Sequence, residues 1–477
     1  MEGGFSVILG ISLGILVSGV TWSMVAARLL LRRRFDLIDI FLLAFGAVYG
    51  VAYAFVIHAT QSGNNPGGFR IIGLEGSYWI VPMLALVCAL ATTAFSGAAQ
   101  QDAAKLQEVR AGTDDGLSEI AWHAPLFALA CLFLGTAIAA SYFYTRAYGG
   151  IAGFFEVAGA LRAGLFEEAG SNSLSFLKPF GGFSIFSTYL FAATCTSAGR
   201  GHRLWSILGF MVSLGVSSVT LLGWGGRVDL LVYWTTVVFG IFVYRVGLAP
   251  RLLGGAAALV LAFIVLLPPL TDAMNPGKSR DSYTEFFATE LTFPVESSLN
   301  SLELPAYRYG VDILAAPLFV LPERIWGALE LRHVSDINSE ALQGDTLRDG
   351  WGYTIPADFI TFGLYQFGYA GPLIVIILWC LLLVKLDDLL VRRLPRSISA
   401  FLYAHSVFAV AALSTLYVDP KMQIARNFHF ILGLVCLLLI PKLWSMARLR
   451  GASLGAGRPK ALLPSVASSY PGPIATD

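Results

Sequence analysis

The chain has 477 residues, of which 56% are hydrophobic and only 13% charged; its mean hydropathy is +0.69. That balance excludes an ordinary soluble domain and fits an integral membrane protein. A net charge of +1, with basic residues scattered rather than gathered on one aromatic-lined stripe, also excludes a nucleic-acid partner.

Apolar runs of about 20 residues, the length needed to cross a bilayer, recur along the chain. They predict spans at Phe5–Leu29, Leu37–His58, Tyr78–Ala98, Ala124–Tyr144, Phe180–Ser197, Leu204–Gly223, Val228–Tyr244 and Leu252–Leu270, then at Leu364–Val384, Ser399–Val418 and Phe428–Met446. The prediction is an all-α polytopic membrane protein of about 11 transmembrane helices with one large outer loop. It divides the chain into an N-terminal bundle (1–270), the large loop (271–363), the C-terminal helices (364–446) and a polar, disordered tail (447–477).

Cationic residues resist translocation and collect on the cytoplasmic side. Placing the N-terminus outside puts most of the 32 lysines and arginines inside, among them Arg28, Arg32–Arg34, Lys385, Arg392 and Arg393. The large loop then lies outside and the C-terminus inside. The first span is preceded by no charged segment and followed by no small-residue cleavage site, so it reads as a retained helix. All five cysteines fall in predicted spans, where they act as small packing residues. Neither a phosphate-binding GxxxxGK[ST] loop nor HExxH nor CxxC occurs, which leaves nucleotide-driven and zinc chemistry without support.

Three places carry residues that are costly near a membrane. At the outer junction of two spans, Gly225-Gly226-Arg227-Val228-Asp229 lets the backbone turn tightly and places an arginine at headgroup depth. Arg227 there either holds a phosphate or pairs with Asp229 and anchors a helix end. The large loop sets Lys278, Arg280, Arg308, Arg324, Arg332 and Arg348 among more numerous carboxylates, Asp281 and Asp358 included. It also holds Tyr307, Trp326, Trp351 and Tyr353, whose rings either stack on sugars or form an interfacial belt. So many aromatics predict a folded cap on the membrane rather than a solvated loop. The third place is His405, Asp419, Lys421, Arg426, Asn427 and His429 near the last spans, which either serve function, as ionisable residues within a membrane do, or leave His405 as a helix-packing histidine and Asp419, Lys421 and Arg426 as a surface turn.

The order of these elements carries a resemblance. Many spans precede Gly225-Gly226-Arg227; one outer loop holds Leu321-Pro322-Glu323-Arg324-Ile325-Trp326; the chain returns through Ala357-Asp358-Phe359 and then Phe367-Gly368-Tyr369-Ala370-Gly371. An aromatic residue, a glycine, two variable residues and a second glycine often begin the helix after the large loop in Wzy-type O-antigen and exopolysaccharide polymerases. The layout over residues 200–440 resembles that family.

The resemblance implies a GT-C-like helical fold in the bacterial inner membrane. It implies polymerisation of undecaprenyl-diphosphate-linked oligosaccharide repeat units on the periplasmic face, with no metal or other cofactor. Membrane lipids and, in the cell, a chain-length regulator and a flippase would be the partners. The leaving diphosphate calls for bidentate cations, here Arg227, Arg280 and Arg324. The acceptor hydroxyl calls for a base, and Asp358, just before the returning helix, is the first choice. Asp229, Asp281, His333, Trp326, Arg348 and Tyr353 are the expected substrate contacts. An O-antigen ligase shares the layout, and a lipid-linked oligosaccharide transporter or flippase would need as many helices.

Overall fold

The computed structural model describes residues 2–32, 35–61, 76–110, 119–163, 174–197, 200–224, 227–248, parts of 254–269, 283–303, 307–318, 329, 331–344 and 355–440. By internal packing the chain falls into two units, Met1–Ile431 and Leu432–Asp477, and the helical bundle and large loop belong to the first.

Every regular element among the described residues is helical. The helices are α1 (Glu2–Arg32), α2 (Leu37–Gln61), α3 (Ile80–Arg110), α4 (Glu119–Arg146), α5 (Ile151–Ala163), α6 (Lys178–Gly181), α7 (Phe183–Ser197), α8 (Arg200–Gly223) and α9 (Arg227–Val246). Three helices of the large loop follow, α10 (Tyr283–Glu303), α11 (Val311–Ala315) and α12 (Val334–Gln343). The chain then returns through α13 (Phe359–Phe367), α14 (Gly371–Arg393), α15 (Arg396–Thr415) and the short α16 (Pro420–Arg426).

Seven of the helical stretches are long and apolar enough to cross a membrane: those within α1, α2, α4, α8 and α9, the joined α13–α14, and α15. An eighth appears if α16 and the following stretch Phe428–Ile440 are counted as one broken span. The protein is thus built as a polytopic membrane protein. One further predicted span corresponds to a shorter apolar helix, Ile80–Phe95 within α3, and the predicted span Phe180–Ser197 to the 15-residue α7. The predicted span Leu252–Leu270 lies largely outside the described residues.

The start of α2 shows how the sequence sets these boundaries. Asp36 caps the helix by accepting from the Ile38 and Asp39 amides, while Asp39 accepts from the Asp36 amide, a reciprocal capping box. Arg28 near the end of α1 closes the group, with Nε 2.5 Å from Asp39 and Nη2 2.7 Å from Asp36. All three side chains are buried, so the charges are stable there only together. They bolt α1 to α2 at one end of the bundle, and Ser18 Oγ donates to Gly46 O at 2.8 Å further along.

The centre of the bundle is made by α15, which packs on α7 and α9, while α7 packs on α4 and α8. A second group, α1, α2, α3 and α14, joins it where α2 meets the last turns of α15. Both α2 and α15 contain a π-helical turn, Ala47–Ala52 and Ser406–Ala412, a distortion common near functional sites. The loop helix α10 lies across the second half of α2 and against α13 and α12. That cover builds the candidate site at the end of the bundle from which the large loop emerges.

Candidate functional site

α15 winds down through its π turn and a 3₁₀ turn, Leu413–Thr415, before Asp419 caps α16 by accepting from the Lys421 amide at 2.9 Å. Pro420 follows at the first helical position, where its missing N–H costs nothing. This seven-residue helix projects Lys421 and Arg426 in two directions. A helix so short has little stability of its own, so its place depends on what these side chains hold.

On the loop side, Lys421 Nζ meets His333 Nε2, the N-cap position of α12, and the same nitrogen lies 3.1 Å from Asp336 Oδ2. Burial first, then Lys421, Arg308 and Arg332, pushes His333 down to about 3, so its imidazole is neutral at neutral pH. Asp419 is buried and accepts from Ser335 Oγ; burial raises its pKa against the pull of that bond and of the Lys421 amide. Behind this pair Asp312 collects Arg308 Nε, Arg308 Nη2 at 3.1 Å, Gln366 Nε2 at 2.7 Å and the Val334 amide at 3.1 Å. The Arg308 and Tyr309 amides donate to Tyr365 O and Gln366 O, each at 2.9 Å. The loop is thereby fastened to the end of α13.

On the bundle side, Arg426 Nη2 pairs with Asp229 in the first turn of α9, and its guanidinium lies 4.9 Å from the centre of the Tyr417 ring. Tyr417 packs at 5.8 Å on Phe293 of α10. A chain of polar groups runs from here into the bundle. Gln423 Oε1 accepts from Asn427 Nδ2 at 3.0 Å, Asn427 Oδ1 lies 3.0 Å from His405 Nε2, and His405 Nδ1 lies 3.2 Å from the Tyr189 hydroxyl. His405 is thus fully engaged in helix packing.

Asp358 is the N-cap of α13. Its carboxylate accepts from the Ile360 and Thr361 amides at 3.0 and 3.2 Å, from Thr361 Oγ1, and from Tyr49 Oη at 2.5 Å. It is 0% exposed, and burial lifts it to about 6 against those bonds. The group ties the start of α13 to the π turn of α2.

Glu296 is different. Within α10, Thr292, Glu296, Ser297, Ser298, Asn300 and Ser301 are all buried. Both oxygens of Glu296 are enclosed with no hydrogen-bond partner among the described residues, and burial pushes its carboxyl up to about 8. An unfolded glutamate releases its proton near 4.5. Between these values the fold holds a proton that the unfolded chain has lost, so stability falls as pH rises from about 4.5 to 8. Glu296→Gln removes that loss, which amounts to up to about 4 kcal/mol at full burial. The variant should melt with wild type below pH 4.5 and increasingly above it up to pH 8, as read by thermal unfolding in detergent; a pH-independent gap would show the carboxyl to be ordinary.

Of the residues expected from the sequence, the structure brings His333 and Asp229 to the two faces of α16 and Asp358 to the cap of α13. The partner of Asp229 is Arg426. Arg227 opens α9, with its side chain outside the described residues, and Arg280, Asp281, Arg324, Trp326, Arg348 and Tyr353 lie outside them altogether. Lys421, Arg426 and Asp419 also allow the reading of a surface turn, although their density between two apolar runs was the available signal. Glu296 gave none, since burial is not written in a serine-rich segment. Among the described residues no three His, Cys, Asp or Glu side chains converge as a metal would require. Comparison with family models, with curated proteins and with solved structures returns no match.

Proposed function

We propose that this chain is a glycosyltransferase of the bacterial inner membrane that polymerises undecaprenyl-diphosphate-linked oligosaccharide repeat units on the periplasmic face. The observation that carries the reading is α16, a short polar helix between apolar stretches whose Lys421 and Arg426 stand between the bundle and the covering helices of the large loop. Cations fixed at the end of membrane spans suit a diphosphate held at headgroup depth. The layout shared with Wzy-type polymerases supports the same reading.

In this reaction an acceptor hydroxyl oxygen bonds to the anomeric carbon of the donor, the bond from that carbon to the phosphate oxygen breaks, and the diphosphate leaves with the electron pair. Arg426 and Lys421 take the developing charge, together with Arg227, Arg280 and Arg324. Such preorganised charge supplies much of the rate. The hydroxyl proton passes to a carboxylate; Glu296, enclosed and holding its own proton up to about pH 8, is not the group that takes it. Asp358 has both oxygens occupied, and its part is to fix where the chain returns to the membrane. Neutral His333 holds Lys421 in place without adding charge. No cofactor enters the step.

The test is surface polysaccharide from a deletion strain complemented with wild type or Lys421→Ala, each confirmed to be inserted at equal level. Deletion should leave single repeat units on the lipid A core and no polymer, and Lys421→Ala should lower polymer at least about 100-fold. Polymer that accumulates unattached to the core would identify a ligase. Unchanged polymer in the deletion strain would sink the reading and favour transport.

A further inference from the structure

A groove of about 400 Å³ opens between the ends of α4, α5, α6 and α8. Its lining is almost wholly apolar or aromatic, with Tyr144, Phe154, Val219 and Trp224 prominent, and its one cationic residue is Lys178, which is exposed. Lys178 opens α6, Tyr144 is in the last turns of α4, and Trp224 ends α8, so the groove lies where the spans meet the headgroup zone. Rim residues Tyr142, Ile151 and Phe155 are exposed, as surfaces facing hydrocarbon are. The polar cluster is on the other side of the same segment: Gly182 abuts His429, and the rings of Phe180 and Phe183 pack on Phe428.

No described carboxylate pairs with Lys178. The exposed Lys178 ammonium can meet an anion at headgroup depth, whereas the apolar walls of the groove exclude a free hydrated anion as the whole occupant. The two requirements meet in a lipid whose chain fills the groove and whose phosphate reaches the ammonium. One cation matches the single charge of a phosphodiester, where a diphosphate would leave charge uncompensated. We propose that this groove binds one anionic glycerophospholipid of the surrounding bilayer, with an acyl chain between α4 and α8 and the phosphodiester on Lys178.

The site is separate from the glycosyl-transfer reading and its test does not use activity. Protein in nanodiscs of phosphatidylglycerol and phosphatidylcholine is released into detergent, and retained lipid is measured by native mass spectrometry. Wild type should retain one phosphatidylglycerol. Lys178→Gln should lower that retention at least tenfold by removing the charge. Gly215→Leu should lower it by filling the groove, because a β-carbon at Gly215 would meet nothing within 4 Å and the side chain is directed into open space there. Equal retention of both lipids, wild-type retention by both variants, or a polyprenyl phosphate from the expression host held in their place would each overturn the proposal.

Discussion

Exchanging two charges, Asp229→Arg together with Arg426→Asp, is expected to give a protein that folds like wild type and makes no polymer. Each single change sets like charges against each other, where Arg426 now joins α16 to the first turn of α9. Both side chains are partly exposed, at 21% and 38%, so solvent moderates the penalty to about 1–3 kcal/mol. The Tyr417 ring beneath the guanidinium makes Arg426 the more costly of the two to lose. The double change restores opposite charge and with it insertion and melting temperature. It also places a carboxylate where the donor's diphosphate would bind, and the expected loss of polymer is at least about 100-fold. Inserted protein, thermal unfolding and polymer are measured on all four forms. A double variant that recovers both fold and polymer would show that Arg426 only ties helices together.

Gly371→Ala is expected to be the most damaging methyl group that can be added at a glycine among the described residues. A β-carbon there would lie 1.7 Å from the Gly363 carbonyl oxygen, and one at Gly363 would lie 2.4 Å from the Pro372 nitrogen. The obstacles are backbone atoms, so no rotamer change relieves them and α13 and α14 must separate. Between them the chain turns through Gly368, whose φ of +60° and ψ of −145° suit glycine alone. The second glycine of the Phe367-to-Gly371 pattern is therefore required by close approach, and the first by conformation. Gly371→Ala should cost about 3 kcal/mol and lower the melting temperature in detergent by many degrees, while the exposed neighbour tolerates Ala370→Ser. A Gly371→Ala protein melting with wild type would mean that α13 and α14 have room to part at the return turn.

The sequence makes the class readable because twenty-residue apolar runs have almost no other use, and the helix starts readable where caps are explicit, as in Asp36-Leu37-Ile38-Asp39. The loop is harder. Its aromatics predict a folded cap but not what the cap buries: helices α10 and α12 are rich in serine, asparagine and glutamate, and Ser297, Asn338 and Ser339 are buried and bonded to one another or to the backbone. Polar residues that satisfy one another across 41 positions leave no periodic trace. The same blindness turns Asp419 to Arg426 into a bland turn, since the groups that give it meaning, Asp229 and His333, lie far away in the chain. Asp358 shows the opposite case: its place before the returning helix attracted a chemical role, while the same place suits a cap.

The order of the pieces along the chain bears on biogenesis. Asp229 is synthesised first, the loop that carries His333 and Asp312 next, and α16 only near the end. A helix of seven residues that gains its position from partners on both sides forms when those partners are already in place. The nascent protein therefore carries no assembled cation pair until its last helices have been made. Lys421 and Arg426 meet their partners in one late step, so a chain whose synthesis stops early lacks the junction that ties the bundle to the loop.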